Sequence, residues 1–203
     1  MTETTVLVTS VGAAVGARTA AAALACAGSD RDRAGLLIDL TDGRTPRPSL
    51  IATAAARELE ERLVAHLPQA GIASRGQLCQ LSLPADQSGV ERIPAALPLA
   101  RGTVTIVHLP QHLLQPVLAE PRIRPSAAML RADLAQDPSL TALVAGDLIE
   151  RGLRVAVLKQ PLGWLAGRLA LLGAPAMSGT GLPDRTRRRL LGGVSSDAAR
   201  GAR

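Results

Sequence analysis

One stretch near the N-terminus constrains the fold more than any other. It reads Val6-Leu7-Val8-Thr9-Ser10-Val11-Gly12-Ala13-Ala14-Val15-Gly16-Ala17-Arg18-Thr19 and runs on through an alanine-rich segment to Ala25. The pattern predicts a buried strand, a loop of small residues and the first turn of a helix. Such a turn can face an anion, because small residues leave backbone N–H groups bare and the helix dipole adds partial positive charge at the same point. It can equally be a tight strand-to-helix turn in which Gly12 and Gly16 serve packing alone. ATPase chemistry needs the pattern G-x-x-x-x-G-K-[ST], whose lysine reaches the terminal phosphates. The only lysine of this chain is Lys159, far from the loop.

Beyond this turn, short apolar runs alternate with helical patterns, which predicts a parallel sheet covered by helices. The expected strands are Thr5–Thr9, Gly35–Leu40, Leu78–Leu83, Val104–Leu109, Ala127–Leu130 and Leu153–Leu158. Ser49 is the expected cap of a helix whose apolar positions Ile51, Ala55, Leu59 and Leu63 recur every four residues. Its wet side carries Arg57, Glu58, Glu61 and Arg62, with Glu58 and Arg62 at ion-pair spacing. Asp137 and Pro138 open a second helix through Leu140, Leu143, Val144 and Leu148, which Gly152 ends. Pro161–Leu172 reads as a last helix, with Trp164 either closing the core or forming part of an exposed docking face, and the residues from Ser178 onward as a disordered tail.

Charge and cysteine content narrow the function classes. At 203 residues with 47% hydrophobic residues, one domain can bury a core. Phe and Tyr are absent, so the core must be aliphatic, and the aromatic stacking of single-stranded nucleic acid has no platform. The net charge of +6 concentrates in residues 178–203, where six arginines face only Asp184 and Asp197. The body is therefore nearly neutral, and its charge does not argue for a DNA-binding domain. Cys26 and Cys79 form no C-x-x-C pair, as expected of free thiols in a cytosolic protein. No stretch is long and apolar enough to span a membrane.

Several residues allow a sharp and a plain reading. Asp39 and Asp42 could orient a water or hold a ribose hydroxyl, or form a solvated strand end leading into the Asp42-Gly43 turn. His108 and His112 stand four apart, a zinc spacing on a helix. Pro110 lies between them and no third ligand is near, so a hydrogen-bonded histidine at a strand end is expected. A short-chain dehydrogenase would need a catalytic tyrosine, and the chain has none.

The body, roughly residues 4–173, resembles the ParA/MinD class of deviant P-loop ATPases, and within it the CpaE/TadZ branch associated with pilus assembly. The landmarks are the opening strand, loop and alanine helix, then Leu36-Leu37-Ile38-Asp39-Leu40, Leu81-Ser82-Leu83-Pro84-Ala85, Val104-Thr105-Ile106-Val107-His108-Leu109-Pro110, and the strand, capped helix and strand from Met129 to Pro161. The departures carry the functional reading. One alignment sets Ala17 at the catalytic lysine, and a shift by one sets Arg18 there with Thr19 at the magnesium-binding hydroxyl. The lysine that defines the deviant loop falls on Gly12 or Ala13. His108 stands in place of the magnesium-linked aspartate, and Lys159-Gln160 in place of an adenine-reading asparagine. Without that charge and carboxylate, a transferring phosphoryl group loses its stabilisation.

The expectation is a three-layer α/β domain over residues 1–176 with a mostly parallel sheet, and a basic tail over 177–203. The resemblance implies a non-catalytic or weakly nucleotide-binding protein, with Gly12, Gly16, Ala17, Arg18, Thr19 and Asp39 as contacts for ATP or ADP. No catalytic or metal-binding residue is assigned. A protein partner, a homodimer as one arrangement, and a cytoplasmic positioning role at a secretion or pilus apparatus, peripheral to the inner membrane, are further implications. One alternative is an active ATPase switch in which Arg18 and Thr19 replace the usual contacts. Another is an adaptor that binds anionic lipid or DNA through Arg185, Arg187, Arg188 and Arg189.

Overall fold

The computed structural model describes residues 4–12, 16–29, 32–41, 51–132 and 138–159. Seven strands run in one sheet: β1 (Thr4–Val11), β2 (Gly35–Leu40), β3 (Gly71–Arg75), β4 (Leu78–Leu83), β5 (Val104–His108), β6 (Ala127–Ala132) and β7 (Arg154–Lys159). Between them lie α1 (Ala17–Ala27), α2 (Ala54–His66), α3 (Gln87–Ala96), α4 (Leu114–Ala119) and α5 (Pro138–Glu150), with single 3-10 turns at Leu97–Ala100 and Gln111–Leu113. The order across the sheet is β3-β4-β2-β5-β1-β6-β7. Every pairing is parallel except the β3–β4 hairpin.

The period-two alternation of strand side chains divides the aliphatic core into two layers. Val6, Val8, Leu37, Ile106 and Met129 pack under Ala17, Ala20, Ala21 and Leu24 of α1. Their neighbours Leu7, Ile38, Leu81, Val107 and Leu130 face the other way, onto Leu59 and Leu63 of α2, Val90 and Ile93 of α3, Val117 of α4 and Leu148 of α5. The domain is thus a three-layer α/β/α sandwich, as its strand and helix alternation predicts.

The differences from the sequence expectation are local. β1, β5, β6 and β7 differ from the expected limits by one or two residues at an end, and β3 is an additional edge strand. The helix expected to start at Ser49 starts at Ala54 instead, capped by Thr53, whose hydroxyl accepts from the Ala56 N–H at 3.3 Å. The cause is backbone pairing just before it: the Gly76 N–H donates to the Ile51 carbonyl at 2.7 Å, and the Thr53 N–H to the Gly76 carbonyl at 2.8 Å. Held extended in this way, Ile51 stays outside the core, 69% exposed. On α2, the Arg62 guanidinium donates to the Glu58 carbonyl rather than to its carboxylate. Leu143 of α5 is also exposed, not part of a buried face. Among the described residues, no helix is long and apolar enough to cross a membrane. Ser49, Asp137, the expected helix 161–172 with Trp164, and the basic tail 177–203 lie outside the described residues.

Candidate functional site

β1 and β5 are neighbours, yet the chain leaves them toward opposite faces of the sheet: β1 feeds α1, whereas β5 feeds α4. In open α/β sheets the crevice at the carboxyl ends of two such strands is the ligand position. Here the two connections touch. The Leu109 N–H donates to the Val8 carbonyl at 3.0 Å, and the Gly12 N–H donates to Oε1 of Gln111 at 3.1 Å.

The polar residues of this end share the α1 face. Asp39 is in register with Ser82 of β4 on one side and with His108 of β5 on the other. Each lies two residues along its strand from a residue on the α1 side, so the three form a row beneath that helix. One row further out, Ser10 of β1 pairs with Arg131 of β6.

Helix placement brings Arg18 onto this row. Gly35 opens β2 directly under the end of α1, where a Cβ would stand 2.3 Å from the Ala25 carbonyl oxygen. From that close approach the helix runs back over the strand. Seven helical residues from Ala25 to Arg18 cover about 10 Å, and four strand residues from Gly35 to Asp39 cover about 13 Å. The two therefore arrive together, and Nε of Arg18 lies 2.7 Å from Oδ2 of Asp39.

Asp39 is completely buried and its carboxylate is fully engaged. Oδ1 lies 2.8 Å from Nδ1 of His108 and accepts from the Thr41 hydroxyl at 3.0 Å. Oδ2 accepts from Nε2 of Gln80 at 3.2 Å and faces Arg18. Burial opposes ionisation. The hydrogen bond and charge of His108, with Arg18 and Thr41, outweigh it and hold the carboxyl below the usual carboxylate range. An ionised carboxylate only accepts, so Nδ1 of His108 carries the proton of that bond. The expectation of a solvated strand end at Asp39 is thereby corrected. The hydrogen-bonded histidine expected at position 108 is what the structure contains.

The other expected contacts divide. Gly12 (φ 61°) and Gly16 (φ 89°) adopt left-handed backbone at the ends of the loop, where a side chain would be strained. Ala17 is 3% exposed and packs in the core under α1. Arg18 keeps half of its side chain in solvent (51% exposed) while its Nε meets Asp39, and Thr19 is half-buried one position on. Asp42 lies outside the described residues.

Sequence reading missed Gln80, Gln111 and Arg131. Arg131 is 2% exposed, donates from Nη1 to the Leu158 carbonyl at 3.3 Å, and sets its Nε 3.7 Å from where a Cβ on Gly16 would stand. Alternation carried the signal: Arg131 follows Ala127 and Met129 at spacing two, on the same face.

This donor set does not fit a divalent cation. Both oxygens of Asp39 are satisfied by hydrogen-bond donors and an arginine. Among the described residues, no three His, Cys, Asp or Glu side chains gather as ligands. Cys26 and Cys79 are free thiols, and burial pushes Cys79 up to about 12. No protein-family model matches the chain, and neither does any curated protein or solved structure.

Proposed function

We propose that this chain is a ParA/MinD-like domain whose phosphoryl-transfer machinery has been replaced by an internal ion network, and that it acts as a non-catalytic, weakly nucleotide-binding interaction or positioning module. One observation carries the reading. Arg18, Asp39 and His108 occupy the places where the resemblance implies a phosphate-binding cation, a water-orienting acid and a magnesium ligand, and they bind one another. A nucleotide phosphate can recruit Arg18 only in competition with a buried carboxylate 2.7 Å away. That competition weakens binding. With His108 in place of a carboxylate, the charge spread over a transferring phosphoryl group has no metal to meet it.

The crevice between the connections after β1 and β5 supports retention of a phosphate-facing helix start, because Gly16 holds left-handed backbone ahead of α1, which opens without a side-chain cap. On this reading the domain presents a surface to a protein partner, at a secretion or pilus apparatus, instead of turning over nucleotide. Titration of the full chain with ATP and ADP, with magnesium and with a chelator, tests it. Weak binding, indifferent to magnesium and without phosphate release, is the expected result.

A further inference from the structure

The two faces of the sheet are covered unequally. α2, α3, α4 and α5 pack on one side, whereas α1 serves the other, where it lies over β2, β5 and β1. β6 and β7 continue the sheet past it. Strand alternation turns Ala127 of β6, with Ala156 and Leu158 of β7, to the α1 side. β7 is the edge strand, and among the described residues no helix stands over it there. Ala156 is nevertheless only 9% exposed, and Leu158 is half-buried. An apolar sheet face reaches that burial only beneath a further layer.

We propose that residues 161–172 of this same chain are that layer: they turn back at the end of β7 and dock on the α1 side of β6 and β7, with a stripe of leucines against Ala127, Ala156 and Leu158. This docking surface is independent of whether a nucleotide binds.

Continuity favours this segment over a second copy or a foreign chain. β7 ends at Lys159, and the chain runs on from there through residues 160–203. Leaving an edge strand, it can bury apolar side chains only by returning over the sheet behind it. The opposite side is already taken by α5, which packs on β7 and β6. Handedness selects the same side. β6 reaches β7 through α5 on one face, while β1 reaches β2, travelling the other way across the sheet, through α1 on the other. A return from β7 travels in the second direction. Pattern and size also match. Leu162, Leu165, Leu169 and Leu172 fall at i, i+3, i+7 and i+10, one face of a helix, with Leu171 on the far side. They span about 15 Å at helical rise, against about 17 Å for β7 from Arg154 to Lys159. The strip between β6 and β7 lies about 12 Å across the sheet from β5, which leaves room beside α1 for a helix at the usual spacing of about 8–10 Å.

NMR of the full chain with labelled Leu and Ala methyls tests the placement without any substitution. The Leu165 and Leu169 methyls should show Overhauser contacts to Ala156 and Leu158. Contacts instead to Val157 and Leu143, which lie on the α5 side and are exposed, would overturn the proposal. So would the absence of any contact to the sheet, or contacts that arise only between differently labelled copies, which would make the occupant a second chain. Substitution gives a second reading. Leu165→Asp or Leu169→Asp should lower the melting temperature by about 5 °C or more, as removal of a buried leucine does. Leu171→Asp should lower it by less than half as much. Equal losses at the three positions, or none at any, would contradict docking through the leucine stripe. If an aspartate variant fails to fold, the contacts in the unmodified chain decide the matter.

Discussion

Arg18 and Asp39 meet at 2.7 Å, the arginine half in solvent and the carboxylate fully out of it. This pairing turns the cation of the loop inward, onto the acid of the neighbouring strand. His108 closes the network from β5 at 2.8 Å, so that charges which the family resemblance directs at phosphate and magnesium satisfy each other.

The cost of removing each member should follow its burial. Asp39→Ala leaves His108 and Thr41 without their acceptor and Gln80 with Ser82 alone, and should lower stability by about 3–5 kcal/mol, as breaking a buried ionic network does. His108→Ala should cost about 1–3 kcal/mol. Arg18→Ala should cost least, because water screens and replaces a half-exposed guanidinium. Urea unfolding of the three variants gives the ranking. An Arg18→Ala loss as large as that of Asp39→Ala would show that the guanidinium is essential to the fold.

Acid should expose the same network. Asp39 is held below its ordinary pKa in the folded chain, so its contribution is fully present above the unfolded value of about 3.9 and disappears as pH falls through the folded value. Unfolding midpoints measured from about pH 5 down to about pH 2.5 should fall more steeply for the unmodified chain than for Asp39→Asn. Equal slopes would mean that the carboxylate is not held ionised by its partners.

How legible was this in the sequence? The layered fold was, because short apolar runs such as Leu36–Leu40 and the every-fourth-residue stripe of α2 are local patterns. β3 was not, since Gly71-Ile72-Ala73-Ser74-Arg75 is held by pairing with β4 and lacks an apolar run of its own. The start of α2 was misplaced for the same reason: a contact with Gly76, remote in sequence, holds the preceding residues extended. At the site, the loop pattern singled out Gly12, Gly16 and Arg18, and the end of the second expected strand singled out Asp39. Their relation was not, because mutual neutralisation depends on how α1 lies over β2. That placement is set by the approach of Gly35 to Ala25, which no spacing rule reveals.

Gly35→Ala should therefore act at a distance. The new methyl would stand 2.3 Å from the Ala25 carbonyl oxygen, a backbone atom that only a shift of α1 can move. A loss of about 1–3 kcal/mol is expected, together with a weaker Arg18–Asp39 pair, visible as a smaller Arg18→Ala effect in the Gly35→Ala background. Additive effects in that double-mutant cycle would separate the helix position from the ion pair.

Ala17→Lys and Arg18→Lys should differ sharply. Ala17 is packed against the sheet, so a lysine there must bury its ammonium or lift the helix, and the melting temperature should drop. Arg18→Lys keeps a cation on the exposed side and should leave the fold intact. Thermal melts of the two variants read this directly, and an unchanged melt for Ala17→Lys would show that position 17 has room for a charged side chain.

The most direct test is phosphate release from ATP by the purified full chain, measured with saturating magnesium and with chelator. The account requires release at the level of the protein-free blank in both, with nucleotide affinity the same in each, because Arg18, Asp39 and His108 are committed to one another. Magnesium-dependent turnover that Arg18→Ala abolishes would contradict it and establish an active switch.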